Sequence, residues 1–254
     1  MKALHLAVPI VIISLFATWM MYQSNEAWSI VLVLGFISLI AIYTLKDAID
    51  WKYYQKHPPA LDDKVRRILA QVPFYKHLSD EKKKAFDLRL GLFLKAHEYR
   101  IQPTRQAQDD EDEFEAPDEL AALASIPAII LTFDQDQFLC PEIDQIIFYN
   151  HPFPTPEYKV LHHSEWNPED KVLIFSVPHL RKGNVEPFTY FDLGMYEWSR
   201  ACKLKEAGAD WTSFNRMFGI TQEQVITSIG LPEPDVEAVH KVFVKHSSYL
   251  PFLS

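Results

Sequence analysis

The sequence predicts a protein of class α+β in which a pair of apolar N-terminal helices precedes one folded domain. Three observations lead there. The first 45 residues hold two long runs without formal charge, whereas the rest of the chain is much more polar. Beyond about residue 61 most apolar residues recur at helical spacing. Two short runs, 143–149 and 171–176, are instead β-branched and aromatic and are bounded by Pro, Asn or Asp, which predicts a small sheet. With 254 residues and 48% hydrophobic content, the chain can bury a full core and still carry an additional segment.

Residues 6–22 and 27–45 each approach the length that a helix needs to cross a bilayer core. Only Gln23, Ser24, Asn25 and Glu26 separate them, so residues 1–45 are predicted to form a transmembrane helical hairpin in contact with lipid through residues 6–45. Trp19, Tyr22, Trp28 and Tyr43 stand near the run ends, where amphipathic rings favour the interface. Neither run has a polar face, which disfavours two core helices of a soluble protein, and Pro9 falls in the first turns, where it is tolerated. A cleaved signal peptide would need a small-residue cleavage site ahead of Ala27, and none stands out. Lys2 precedes the first run and Lys46, Lys52 and Lys56 follow the second, so both termini are expected in the cytoplasm, with the protein in an inner membrane.

Residues 46–60 read as a juxtamembrane helical extension closed by His57-Pro58-Pro59, and the soluble domain as 61–254. A short helix is predicted over 63–69. A long one follows Ser79, a good N-cap with Asp80 and Glu81 in its first turn, and its face of Phe86, Leu90, Phe93 and Leu94 turns inward. The acidic run 109–115 repels itself and reads as an exposed loop, without the alternating ligands and glycine of a calcium loop. An Ala- and Leu-rich helix starts at Asp118. Helical patterns return over 188–205, 211–218, 222–229 and 234–245.

The formal charge of -9 argues against a nucleic-acid partner, which would require clustered Lys and Arg. Cys140 and Cys202 lie far apart in sequence and outside any CxxC, which encodes neither a disulfide framework nor a thiolate metal site and suits a reducing compartment. No Ser-His-Asp spacing, phosphate loop or nucleotide fingerprint is visible.

Four blocks, in order, resemble the MtfA-like family of bacterial zinc-dependent peptidases. Val72-Pro73-Phe74-Tyr75-Lys76-His77-Leu78 with the helix to Phe93-Leu94 is similar to the family's entry segment. Ala121-Ala122-Leu123-Ala124-Ser125-Ile126-Pro127-Ala128-Ile129-Ile130-Leu131 is similar to its Ala-rich helix. Ile146-Ile147-Phe148-Tyr149 followed by His151-Pro152-Phe153 resembles one of its strands, and His163-Ser164-Glu165-Trp166 followed by residues 171–176 resembles the stretch that comes after it. The resemblance spans roughly residues 68–190 and implies a zincin-like fold.

At its decisive block the sequence departs from the family. A zincin holds zinc with two histidines at i and i+4 of one helix, and the glutamate between them activates the bound water. Here that position reads Tyr190-Phe191-Asp192-Leu193-Gly194-Met195-Tyr196-Glu197-Trp198, and no histidine occurs between His179 and His240. His97-Glu98 is followed by Ile101 where a second ligand would stand, and Glu223 is only a loose candidate for a third ligand.

The expectation is therefore a zincin-like pseudoenzyme with no cofactor, acting as a binding or regulatory module for a protein partner that the sequence does not name. Phe191, Met195, Trp198 and Cys202 form an apolar stripe. Asp192, Tyr196, Glu197 and Arg200 are the cleft-facing candidates, with either Asp192 or Glu197 expected to pair with Arg200 at helical spacing. The alternative is an active metal-dependent peptidase with non-standard ligands, His162, His163 and Glu165, taken from the histidine group His151, His162, His163 and His179, and with zinc as its cofactor.

Overall fold

The computed structural model describes residues 2–23, 26–102, 114–187 and 189–249. It divides into two compact units, Met1–Pro59 and Ala60–Ser254.

In the first unit, α1 (Ala3–Tyr22) and α2 (Trp28–Thr44) pack against each other. Their side chains point outward: only Ala3 and Ala17 are buried, while Ile12, Leu15 and Phe36 are 61%, 67% and 67% exposed. The contact is close at Gly35, where an added Cβ would lie 2.4 Å from Ser14 Oγ, so only a glycine lets the backbones approach. Hydroxyls bond within their own helix, Thr18 to the Ser14 carbonyl at 2.9 Å and Ser38 to that of Leu34 at 2.8 Å. After α2 the chain bends by 62° into α3 (Lys46–Lys56). Asp50 on α3 accepts the Ala3 N–H at 2.7 Å and so caps α1, one of whose first-turn donors would otherwise be unpaired. By length and composition α1 fits a membrane span or a signal sequence. The 17 residues of α2 reach span length only together with the bent α3.

The second unit is α+β. It opens with α4 (Asp63–Leu69), α5 (Pro73–Lys76) and α6 (Asp80–Ala96), which is capped by Ser79. Then come β1 (Glu98–Ile101), β2 (Phe114–Glu115), α7 (Asp118–Thr132), β3 (Gln145–Tyr149), β4 (Ser164–Asn167) and β5 (Val172–Ser176). The chain closes with α8 (Val177–Val185), α9 (Leu193–Ala201), α10 (Trp211–Phe218), α11 (Gln222–Ile229) and α12 (Val236–Ser247). The sheet order is β2-β1-β3-β5-β4; β1, β3 and β5 run parallel, and each edge strand is antiparallel to its neighbour. Phe114 and Glu115, expected in the acidic loop, form β2. The rest of that run, 109–113, lies outside the described residues.

Helix α7 passes through the core with residues 121–132 all buried, as a helix apolar on every side must. Pro127 within it has no N–H, so the Leu123 carbonyl loses its helical partner. Asn184 of α8 replaces it, donating to Leu123 at 2.8 Å. Trp198 of α9 donates its indole N–H to the Ala124 carbonyl at 2.6 Å. Arg89 of α6 closes the C-terminal end, bonding the Thr132 and Phe133 carbonyls at 3.0 Å each and that of Gln135 at 2.9 Å. A Cβ on Gly194 would sit 2.6 Å from the Pro127 ring, so glycine lets α9 lie directly on this helix.

The cysteines correct the sequence expectation. Cys140, in the loop before β3, and Cys202, the C-cap of α9, form a disulfide with Cα atoms 5.6 Å apart, because folding brings together positions 62 residues apart.

Candidate functional site

Helix α9 lies beside the edge strand β4, and the two carry most of the residues singled out from the sequence. Asp192, expected to face a cleft, is buried as the N-cap of α9, where it accepts the Met195 N–H at 2.8 Å. Its other oxygen lies 3.3 Å from His246 Nε2 on α12, and the opposite nitrogen of that ring bonds Tyr249. Tyr196 is also buried; its hydroxyl accepts the Asp235 N–H at 3.0 Å. Met195 and Trp198 of the apolar stripe are fully buried.

Glu197 is inaccessible to solvent, and both of its oxygens are engaged. Ser164 of β4 donates to one at 2.8 Å and Arg200 to the other at 2.7 Å. Burial works against the charge of Arg200, but Glu197 and Tyr196 outweigh it and raise its pKa above the ordinary value, so the guanidinium is permanently charged. It stacks 5.4 Å from the Tyr196 ring, with 23% of its side chain exposed. Of the four cleft candidates, only Arg200 reaches the surface.

Between β3 and β4, residues 153–162 form a hairpin closed by paired Phe153 and His162. At its base, His162 Nε2 lies 2.8 Å from Glu165, and Nδ1 lies 2.9 Å from the Val160 carbonyl. Both ring nitrogens thus have oxygen partners. Thr155 adds a bond to Glu165 at 2.7 Å. Burial alone would raise the Glu165 pKa; the bonds from His162 and Thr155 and the field of Arg200 bring it below the usual carboxylate value.

The alternative metal set is therefore split. His162 and Glu165 meet, but successive side chains of an extended segment point to opposite faces, and His163 turns away from them. Its ring stacks on His179 at 3.7 Å between centroids, while its backbone N–H bonds Ile229 at 3.1 Å. An added Cβ at Gly230, which has φ +85°, would lie 2.8 Å from the His162 Cα, so glycine both ends α11 and lets it meet this segment. His151 is exposed and bonds the Pro152 carbonyl. His97 ends α6 and Glu98 begins β1, so that pair never shares a helix face. Glu223 is exposed in the first turn of α11. Among the described residues, no group of three or more His, Cys, Asp or Glu side chains is arranged to hold a metal ion.

Ser164, Thr155 and the Asp192–His246–Tyr249 chain were not foreseen, because no local spacing marks them. Asp192 fell inside the helical pattern read over 188–205, whereas α9 begins only at Leu193, so its N-cap role was not read from the sequence. Chemically, the arrangement is a closed set of hydrogen-bonded side chains around the Glu197–Arg200 ion pair, with part of the Arg200 side chain open to solvent. Comparisons of the chain with protein-family models, with curated proteins and with solved structures give no match.

Proposed function

We propose that this protein is a membrane-anchored binding or regulatory module, of zincin-like descent, that does not cleave peptides. The observation that carries the reading is the state of Glu197. A general base must reach a water or substrate proton, and this carboxylate is buried, hydrogen-bonded by Ser164 and paired with Arg200, on a helix without imidazoles. Binding remains open to the site, since Arg200 keeps N–H groups at the surface and the adjoining hairpin exposes Val160 and Leu161 by 52% and 65%. Metal analysis of the full purified chain, with a casein-like substrate and a chelator, tests this. Substoichiometric zinc and no chelator-sensitive cleavage are expected. Tightly held stoichiometric zinc would overturn it and make His162, His163 and Glu165 the first residues to mutate.

For the anchor, we propose two spans in a bacterial inner membrane with the domain in the cytoplasm, supported by Lys2, Lys46, Lys52 and Lys56 at the outer ends of α1 and α2. One observation favours a second reading. The Cys140–Cys202 disulfide suits an oxidising compartment and hence an exported domain. Alkylating whole cells with N-ethylmaleimide before lysis separates the two: modified thiols support the cytoplasmic arrangement, and a protected disulfide supports export.

A further inference from the structure

Away from Glu197, two adjoining pockets have an unusual composition for so acidic a chain. One, of about 220 Å³, is lined in part by His163, His179, Lys182 and Thr227. The other, of about 270 Å³, is walled by Phe191, Ile220, Val225 and Phe243. They share Thr189, Tyr190, Phe191 and Ser228, and no Asp or Glu is among the described residues lining either, although the protein has 34 acidic residues against 25 basic ones.

The polar end has unused capacity. Lys182 is exposed, with its ammonium 5.0 Å over the Tyr190 ring. His163 Nδ1 is buried without a hydrogen-bond partner. His179 Nδ1 is occupied by Ser176 Oγ at 3.1 Å, which leaves Nε2 as that ring's remaining polar atom. A buried ring nitrogen without a partner is costly unless something supplies one. A cation beside two imidazoles, with no competing carboxylate, is complementary to an anion.

We propose that the two pockets form one site for a small amphiphilic acid: its carboxylate or phosphate head is received by Lys182 and the His163–His179 pair, and its short apolar tail lies along Phe191, Ile220, Val225 and Phe243. Each pocket alone falls below the roughly 300 Å³ at which ligand sites begin, and joined they reach that range. Burial, His179 and His162 hold His163 down to about 4, and burial and Lys182 lower His179, so both rings are neutral until an anionic head arrives and raises them. This site does not depend on whether the protein cleaves peptides.

The test uses the full chain in phosphatidylcholine nanodiscs, with hexyl phosphate as the probe and inorganic phosphate and hexanol as its two halves. Hexyl phosphate should bind saturably, with each half at least about tenfold weaker, which corresponds to about 1.4 kcal/mol. Bound probe should raise the titration midpoints of two histidines in the NMR spectrum. Lys182→Gln should weaken binding about tenfold, and Ser228→Trp, which fills the junction, should abolish it. Adding phosphatidic acid to the nanodiscs distinguishes sources: competition means that the head arrives on a bilayer lipid, and no competition means a free solute. Non-saturable uptake, hexanol binding as well as hexyl phosphate, or both variants binding like the parent would overturn the proposal.

Discussion

Helices α1 and α7 are both nearly continuous apolar runs, each with a proline inside, and they meet opposite surroundings. In α7, residues 121–132 are buried and its carbonyls draw donors from three other helices: Asn184 on α8, Trp198 on α9 and Arg89 on α6. In α1, only Ala3 and Ala17 are buried, and the Thr18 hydroxyl bonds within its own helix. Hydropathy says what both helices avoid. Whether neighbouring elements reach the interior carbonyls separates them: α7 draws donors from three other helices, whereas in α1 the partner from outside, Asp50 of α3, caps only the first N–H.

The strongest way to break this comparison is Trp198→Ala, which removes both a ring packed 5.1 Å from Phe93 and the donor to Ala124. A loss of about 3–5 kcal/mol in chemical denaturation is expected. A loss below 1 kcal/mol would mean that α7 does not rely on its neighbours. Asn184→Leu keeps the bulk but leaves the Leu123 carbonyl without its donor, and should cost about 1–3 kcal/mol. No change would show that Pro127 needs no compensation.

A smaller effect is set by pH. His163 is held at about 4 in the folded chain and His179 is lowered in the same direction, against an ordinary value of 6.5. Because the unfolded chain takes up these protons first, the contribution of the pair is complete above pH 6.5 and is lost as pH falls from 6.5 towards 4. Denaturation midpoints from pH 7.5 to 4.5 should show this slope, flattened in His163→Gln; an unchanged slope would refute the assignment. The smallest effect is expected from Gly35→Leu, which should force α1 and α2 apart and reduce cross-linking between them, yet alter the unfolding of the second unit by no more than about 0.5 kcal/mol. A larger shift would mean that the two units share packing.

Much of the fold was legible because it is written locally. Ser79 precedes a helical run and caps it, and residues 145–149 and 172–176 alternate as half-buried strands do. β1 and β4, with four residues each, are too short to show a period and exist because their neighbours pair with them. The helix α8, missed entirely, begins with Val177-Pro178 at the end of β5, where Pro178 looked like a boundary rather than a first-turn residue. At the site, the sequence offered Asp192 or Glu197 as the partner of Arg200, and Glu197 is the one that pairs with it. The burial of Asp192 and Tyr196 was not readable, because it depends on α12 and on the segment around Asp235.

The bond between Cys140 and Cys202 turns the 62-residue separation into a covalent ring that contains β3, β4, β5, α8 and α9, and with them Glu165, Glu197 and Arg200. In the chain-entropy account such a ring restricts the unfolded ensemble by roughly 4 kcal/mol, a contribution that a reducing compartment would remove. It also changes what a single backbone cut can do. A nick in the exposed stretch around Val160 and Leu161 leaves both fragments joined through sulfur, so the cut chain keeps its mass until a thiol is added and separates into two pieces only then.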